Sequence, residues 1–326
     1  MIVVAGEALI DLAPRDGLLL PLAGGSPYNV AVGLGRLGRD THYLGGLSTD
    51  AFGEMMAERL AADGVDLSLA PRFEGPSTLA VVHLDDDGRA TYGFYLDGTA
   101  AASIDDAHLP ALPSGAALHV SLGAIGFAHE PTGHALAALL RREAGARLTS
   151  LDPNVRPLVF EQAGGVATYA TLVDEVVAGL DLVKVSDEDL AQLHPELEGG
   201  WRAVARRWAD AGPSLVVVTR GPEGAVALTA DGREVSVPGE RVEVVDTVGA
   251  GDAFTSGLLG WLDREGVADR DALTEMEDDA LRSALTYARR VAAITCTRAG
   301  SDPPRADEVE HPTDEVEHPT DITDHS

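Results

Sequence analysis

The chain has a single cysteine, Cys296, and a single lysine, Lys184, among 326 residues. One thiol excludes an intrachain disulfide and a cysteine-rich zinc site. Its apolar, helix-like surroundings read as those of a small core residue. The lone lysine lies outside any Gly-x-x-x-x-Gly-Lys-Ser/Thr string, which excludes a P-loop phosphotransferase. No run approaches the ~18 apolar residues of a membrane span, and Met1 leads into Ile2-Val3-Val4-Ala5 without a basic leader, so a cytoplasmic protein is expected. Basic residues are scarce: 24 Lys and Arg against 53 Asp and Glu give a net charge of −29. Such a charge repels polyanions, which excludes nucleic acid and anionic membranes as partners. Neither a His-Glu-x-x-His string nor a nucleophile elbow occurs.

What is present is a rhythm of short β-rich runs and longer helical patterns. Strands are predicted over 2–5, 41–47, 117–121, 147–151, 182–185, 215–219 and 225–229, with helices over 29–37, 52–62, 131–143, 166–178, 200–211, 252–265 and 278–297. This alternation predicts an α/β fold, a mostly parallel sheet with helices on both faces, and ligands at the C-terminal ends of its strands. One region departs from it: residues 77–84, the turn Asp85-Asp86-Asp87-Gly88 and residues 89–96 read as a β-hairpin. With 18–23 it would make a small separate sheet or an antiparallel edge of the main one. The C-terminus differs again, because Asp307-Glu308-Val309-Glu310-His311-Pro312-Thr313 recurs as residues 314–320. With few apolar side chains and eight acids in 307–326, it predicts a disordered tail from residue 305, after a domain spanning 1–304.

The string Asp246-Thr247-Val248-Gly249-Ala250-Gly251-Asp252 carries the chemistry. It follows the alternating stretch Arg241-Val242-Glu243-Val244-Val245 and precedes the apolar Ala253-Phe254, which predicts a turn from a strand into a buried helix. Such a turn aims unpaired N–H groups at one point, and its small residues and helix dipole admit an anion. Gly249, Ala250 and Gly251 are therefore a candidate anion hole. Asp252, held ionised by the helix N-terminus, is a candidate general base for phosphoryl transfer to a hydroxyl. Read alone, the same string is a tight turn with Asp as helix cap. Gly33-Leu34-Gly35-Arg36-Leu37-Gly38 matches a dinucleotide fingerprint, but no strand immediately precedes it and Val30, Leu34 and Leu37 have helical spacing. It reads as a helix packed through glycines, against a dehydrogenase.

Asp246 to Phe254 resembles the C-terminal signature of the ribokinase-like (PfkB) carbohydrate kinases, and Gly24-Gly25-Ser26-Pro27-Tyr28-Asn29-Val30-Ala31 resembles the N-terminal one. Residues 6–12, 92–100 and the string Asp152-Pro153-Asn154-Val155-Arg156-Pro157 are most similar to bacterial fructokinases. The resemblance, which runs over about 1–304, implies a ribokinase-like fold whose small β-sheet, from about 11–23 and 77–100, is a lid over the sugar and the surface of a homodimer. It implies an ATP- and Mg²⁺-dependent sugar kinase, with Asp11, Gly24, Gly25, Asn29 and Arg156 at the sugar. The nucleotide would meet Lys184, Thr219, Arg220, Gly221 and Gly224. Where the wider family has Asn-x-x-Glu, tied to magnesium, this chain has Ser186 and Asp189. Asp246 either closes the end of its strand or joins the Val248 carbonyl in a K⁺ site. Fructose is the first expectation for substrate, with 2-keto-3-deoxygluconate or another sugar or nucleoside as alternatives; a non-catalytic sugar sensor would not need Asp252 and its glycines.

Overall fold

The computed structural model describes residues 1–15, 18–84 and 90–310. Nine strands form one sheet in the order Glu234–Val237, Ala225–Thr229, Leu215–Thr219, Leu182–Ser186, Thr149–Asp152, Ala117–Ser121, Ile2–Ala5, Thr41–Leu44, Val65–Asp66. Seven are mutually parallel, and Ala225–Thr229 and Glu234–Val237 add an antiparallel edge. The parallel strands are buried on both faces, as a doubly covered sheet requires. Alternate residues feed two cores: Ile2, Val4, Leu182 and Val217 pack under the helices Ser26–Arg36, Ala250–Arg264 and Asp278–Cys296. Val3, Val120, Leu151 and Val216 pack under Thr132–Glu143, Val166–Val177 and Gly200–Ala211.

A second sheet, in the order Leu18–Gly24, Leu9–Arg15, Thr78–Leu84, Ala90–Tyr95, stands apart from the first. Leu9, Ala80 and Leu96 bury one side of it against Ala102, Ala124 and Ile125. Leu18, Leu19, Leu22 and Tyr95 remain exposed. The separate small sheet is thus present, and the alternative of an edge of the main sheet is not. The turn at 85–88 lies outside the described residues.

Several expected boundaries move. Residues 41–47 do not form one strand: pairing stops at Leu44, and Leu47–Ser48 joins Arg72–Phe73 in a separate pair, since Gly45 and Gly46 supply no side chains to a ladder. Arg241–Val245 is not a strand either. The amides of Val245 and Asp246 are both taken by the carbonyl of Cys296 at the end of a helix, so no neighbouring strand is engaged. The first helix begins at Ser26, and its cap is Gly25, with φ of 105°. Asn29, the first residue of the expected helix 29–37, lies one turn inside.

The expected boundary at 304 falls too early. Ala306–Glu310 is helical, and Val309 is buried with Leu37, Ala253 and Val291. Arg305 pairs with Asp63 at 3.1 Å, and Arg298 pairs with Glu308. The apolar side chain and the paired charges offset the ordering entropy that composition alone weighed against these residues. Most of the acidic repeat, 311–326, lies outside the described residues.

Candidate active site

Gly249 caps the helix Ala250–Arg264 in the left-handed conformation at φ of 75°, where a Cβ would also strike the Ser301 hydroxyl, so the turn needs glycine. The Ala250 amide bonds the Thr247 carbonyl at 3.2 Å. Those of Gly249, Gly251 and Asp252 have no acceptor among the described residues. The open donors are therefore Gly249, Gly251 and Asp252, a correction to the expected Gly249-Ala250-Gly251 set. Orphan amides of a helix's first turn are what an anion satisfies.

Asp252 lies beside them. Its Oδ1 accepts from Ser26 Oγ at 2.6 Å and its Oδ2 from Asn29 Nδ2 at 2.8 Å, both from the helix Ser26–Arg36. Burial pushes its pKa up to about 6 against these hydrogen bonds, and the nearby Asp152 adds to the rise. Desolvation is the largest influence on this carboxyl and outweighs the hydrogen bonds that favour its charge. At neutral pH it is still mostly ionised, with a pKa suited to a general base.

Beneath the turn runs a polar row on one face of the main sheet. His119 is buried with Nδ1 and Nε2 at 2.9 and 2.8 Å from the hydroxyls of Ser150 and Ser121, and desolvation pushes its pKa down to about 4, so it is neutral. Next on that face, Lys184 Nζ meets Asp152 Oδ2 at 2.8 Å, and Thr255 Oγ1 reaches the same oxygen at 3.3 Å. A Cβ at Gly251 would sit 3.2 Å from Lys184 Nζ, which places this ammonium against the open amides. Burial opposes the charge on Lys184, yet Asp152 wins and its pKa rises. A buried, paired cation beside unpaired N–H groups is suited to phosphate.

At the other end of the cleft stand Asp11, Gly24 and Arg156. Asp11 is in the strand Leu9–Arg15, and a Cβ at Gly24 would lie 2.6 Å from its Oδ2. Burial raises the Asp11 pKa to about 6, moderated by Arg156. Arg156 is exposed, donates to the carbonyls of Asn154 and Val155, and has no ion-pair partner among the described residues. Its charge also acts on Glu7 and Asp189.

The remaining expected residues are engaged otherwise. Asp189 accepts from the amides of Val155 at 3.1 Å and Ser186 at 3.4 Å, and the Ser186 hydroxyl accepts from the Asp189 amide, a capping box on Asp187–Leu193. It braces the Arg156 loop and is buried, and no cluster of three metal-ligating side chains occurs among the described residues. Asp246 accepts from the amides of Val248 at 3.0 Å and Gly300 at 2.8 Å, closing its loop. Arg220 pairs through Nη2 with Glu223 and lies 5.1 Å from the Trp201 ring. Gly221 and Gly224 frame that short turn, a Cβ at Gly224 would strike the Val237 carbonyl, and Thr219 Oγ1 contacts the Val185 carbonyl at 3.4 Å. The sequence reading missed Ser26, Asp152, Thr255 and Glu7. Ser26, Asp152 and Glu7 lie inside strings singled out in the sequence, whereas Thr255 carries no local signal.

The pfkB family carbohydrate kinase model matches residues 2–308. A fructokinase of Rhizobium leguminosarum bv. trifolii is 43% identical over 289 residues, 87% of this chain and 86% of its own. Fructokinase-2 of Oryza sativa subsp. japonica is 33% identical, covering 93% of this chain and 90% of its own. Among solved structures, the fructokinase of Xylella fastidiosa with bound ATP superposes with a TM-score of 0.86 at 28% identity, over 95% of this chain and 96% of that one. The fructokinase of Vibrio cholerae O395 with fructose, ADP and calcium bound gives 0.77 at 28% identity, over 92% and 94%. The chain belongs to the pfkB family of carbohydrate kinases and is closely related to bacterial and plant fructokinases.

Proposed function

We propose that this chain is a fructokinase, transferring the γ-phosphate of ATP to a primary hydroxyl of D-fructose. The observation that carries the reading is Asp252: a carboxylate fixed by Ser26 and Asn29, beside open amides and the Lys184 ammonium. As the sugar oxygen attacks phosphorus, Asp252 takes the hydroxyl proton and the bond from the γ-phosphorus to the bridging oxygen breaks, releasing ADP. The amides of Gly249, Gly251 and Asp252, with Lys184, offset the charge on the equatorial oxygens.

Magnesium fits as an ion carried on the nucleotide phosphates with water, since Asp189 is turned to backbone amides and no carboxylate cage stands ready among the described residues. When bound, it would neutralise charge on the β- and γ-phosphates. For K⁺, the Asp246 carboxylate fits better as the clasp of its loop than as a ligand.

Two features favour a neutral sugar. The names of the curated relatives point to fructose, and the sugar end of the cleft holds the carboxyls of Asp11 and Asp252 against the guanidinium of Arg156. A sugar acid such as 2-keto-3-deoxygluconate would add a further negative charge there. The exposed Leu18, Leu19, Leu22 and Tyr95 suit a homodimer formed through the small sheet, which sedimentation of a Leu22→Arg variant would test. The function itself is tested by an ADP-release assay over fructose, 2-keto-3-deoxygluconate, ribose, adenosine and fructose phosphates. Phosphorylation of any of the others in preference to fructose overturns the assignment.

A further inference from the structure

Glu7 is buried to 1% exposure at the end of the first strand of the main sheet, and the catalytic proposal leaves it without a role. Three pieces of the cleft wall meet on it. A Cβ at Gly25 would lie 2.7 Å from its carbonyl oxygen, so the cap of the helix bearing Ser26 and Asn29 rests on its backbone. A Cβ at Gly123 would lie 2.2 Å from its Oε1, and the Ala124 amide bonds its carboxyl, so the loop after Ala117–Ser121 rests on its side chain. Its Oε2 is buried and has no hydrogen-bond partner. Leaving a carboxylate oxygen buried and unpaired is costly, whereas a protonated carboxyl carries no charge to desolvate.

We propose that Glu7 is a positioning residue of the transfer site: a neutral carboxylic acid that braces the Gly25 turn against the Gly123–Ala124 loop and leaves Asp252 as the working anion beside them. The groups that face it are Arg156 from the loop after Thr149–Asp152, Asp252 from the helix Ala250–Arg264, Tyr43 from the strand Thr41–Leu44 and Tyr169 from the helix Val166–Val177. Burial is the largest influence and raises its pKa to about 7, with Asp252 pushing the same way and the amides of Glu7 and Ala124 and the Arg156 guanidinium pulling against it. Above that pH a second negative charge appears beside Asp252 and the incoming phosphate, and turnover falls.

The proposal rests on the kinase reading, so its test has one arm that needs no substrate. In the folded chain Glu7 holds a proton that the unfolded chain loses near its ordinary value, so it contributes stability at acid pH that is lost as pH rises through about 7. Glu7→Gln mimics the neutral acid and cannot titrate. Its melting temperature is expected to decline less than that of wild type between pH 5.5 and pH 8. An equal decline in both proteins overturns the proposal, whatever the sugar turns out to be. In the activity arm, the ratio of turnover at pH 8.5 to that at pH 6.5 is expected to rise by at least about threefold in Glu7→Gln. An unchanged ratio also overturns it. Glu7→Ala, which removes the brace, is expected to raise the KM for sugar and lower turnover at both pH values. If Glu7→Ala fails to fold, Glu7→Gln still decides; a folded Glu7→Ala with wild-type kinetics counts against the brace.

Discussion

Asn29 Nδ2 stands 2.8 Å from Asp252 Oδ2, joining residues 223 positions apart in the chain. The hydrogen bond links the two signature strings directly, and it gives the first of them a task besides its proposed contact with sugar. By donating to the ionised carboxylate, Asn29 lowers the Asp252 pKa against the effect of burial. Asn29→Ala should therefore move the acid limb of kcat/KM to higher pH. An acid limb at the wild-type position would show that the contact does not tune the base.

Asp252 itself must be ionised to accept a proton. With its pKa near 6, turnover is expected to be about half-maximal near pH 6 and to fall further as pH drops below it. Asp252→Asn is expected to lose about 10²–10⁴-fold in turnover with little change in the KM for sugar, the usual span for a positioned base. Near-normal turnover in single-turnover assays would falsify the assignment.

Lys184 and Asp152 form a buried pair at 2.8 Å, so removing one strands the other. Lys184→Met should cost on the order of 3–5 kcal/mol in urea unfolding. Adding Asp152→Asn should restore much of that stability but little activity, since the cation beside Gly251 stays absent. If activity returns along with stability, Lys184 serves only the fold.

The C-terminal edge of the domain can be located by truncation. Ending the chain after Glu310 is expected to leave melting temperature and turnover unchanged, because the acidic repeat beyond it has too little apolar surface to offset ordering. Ending it after Pro304 removes Val309 from its cluster and the Arg305–Asp63 pair, and a melting temperature lower by several degrees is expected. Identical melting of both truncated proteins and wild type would place the edge back at 304.

Periodicity was enough for the architecture, since a strand's alternation and a helix's 3.6-residue repeat are local properties. The strands Ala117–Ser121, Leu215–Thr219 and Ala225–Thr229 and the helix Gly200–Ala211 stand where the pattern puts them. The glycine turn ahead of Asp252 was legible for the same reason, because small residues before a helix have a local conformational meaning. Arg241–Val245 was misread because alternation states only that one side could be covered; here the Cys296 carbonyl takes the amides, and Val244 and Val245 stay exposed.

Charge and partnership were decided by the tertiary structure alone. Nothing near Glu7 in the chain announces a buried, half-satisfied carboxyl, and nothing near Asp252 announces that burial raises its pKa. Whether an arginine is without an ion-pair partner among the described residues, as Arg156 is, or lies over a distant ring, as Arg220 does over Trp201, depends on what folds beside it. Sequence names the groups that can carry a reaction. Their desolvation and their neighbours, which set protonation and free valence, come from residues brought close by the fold.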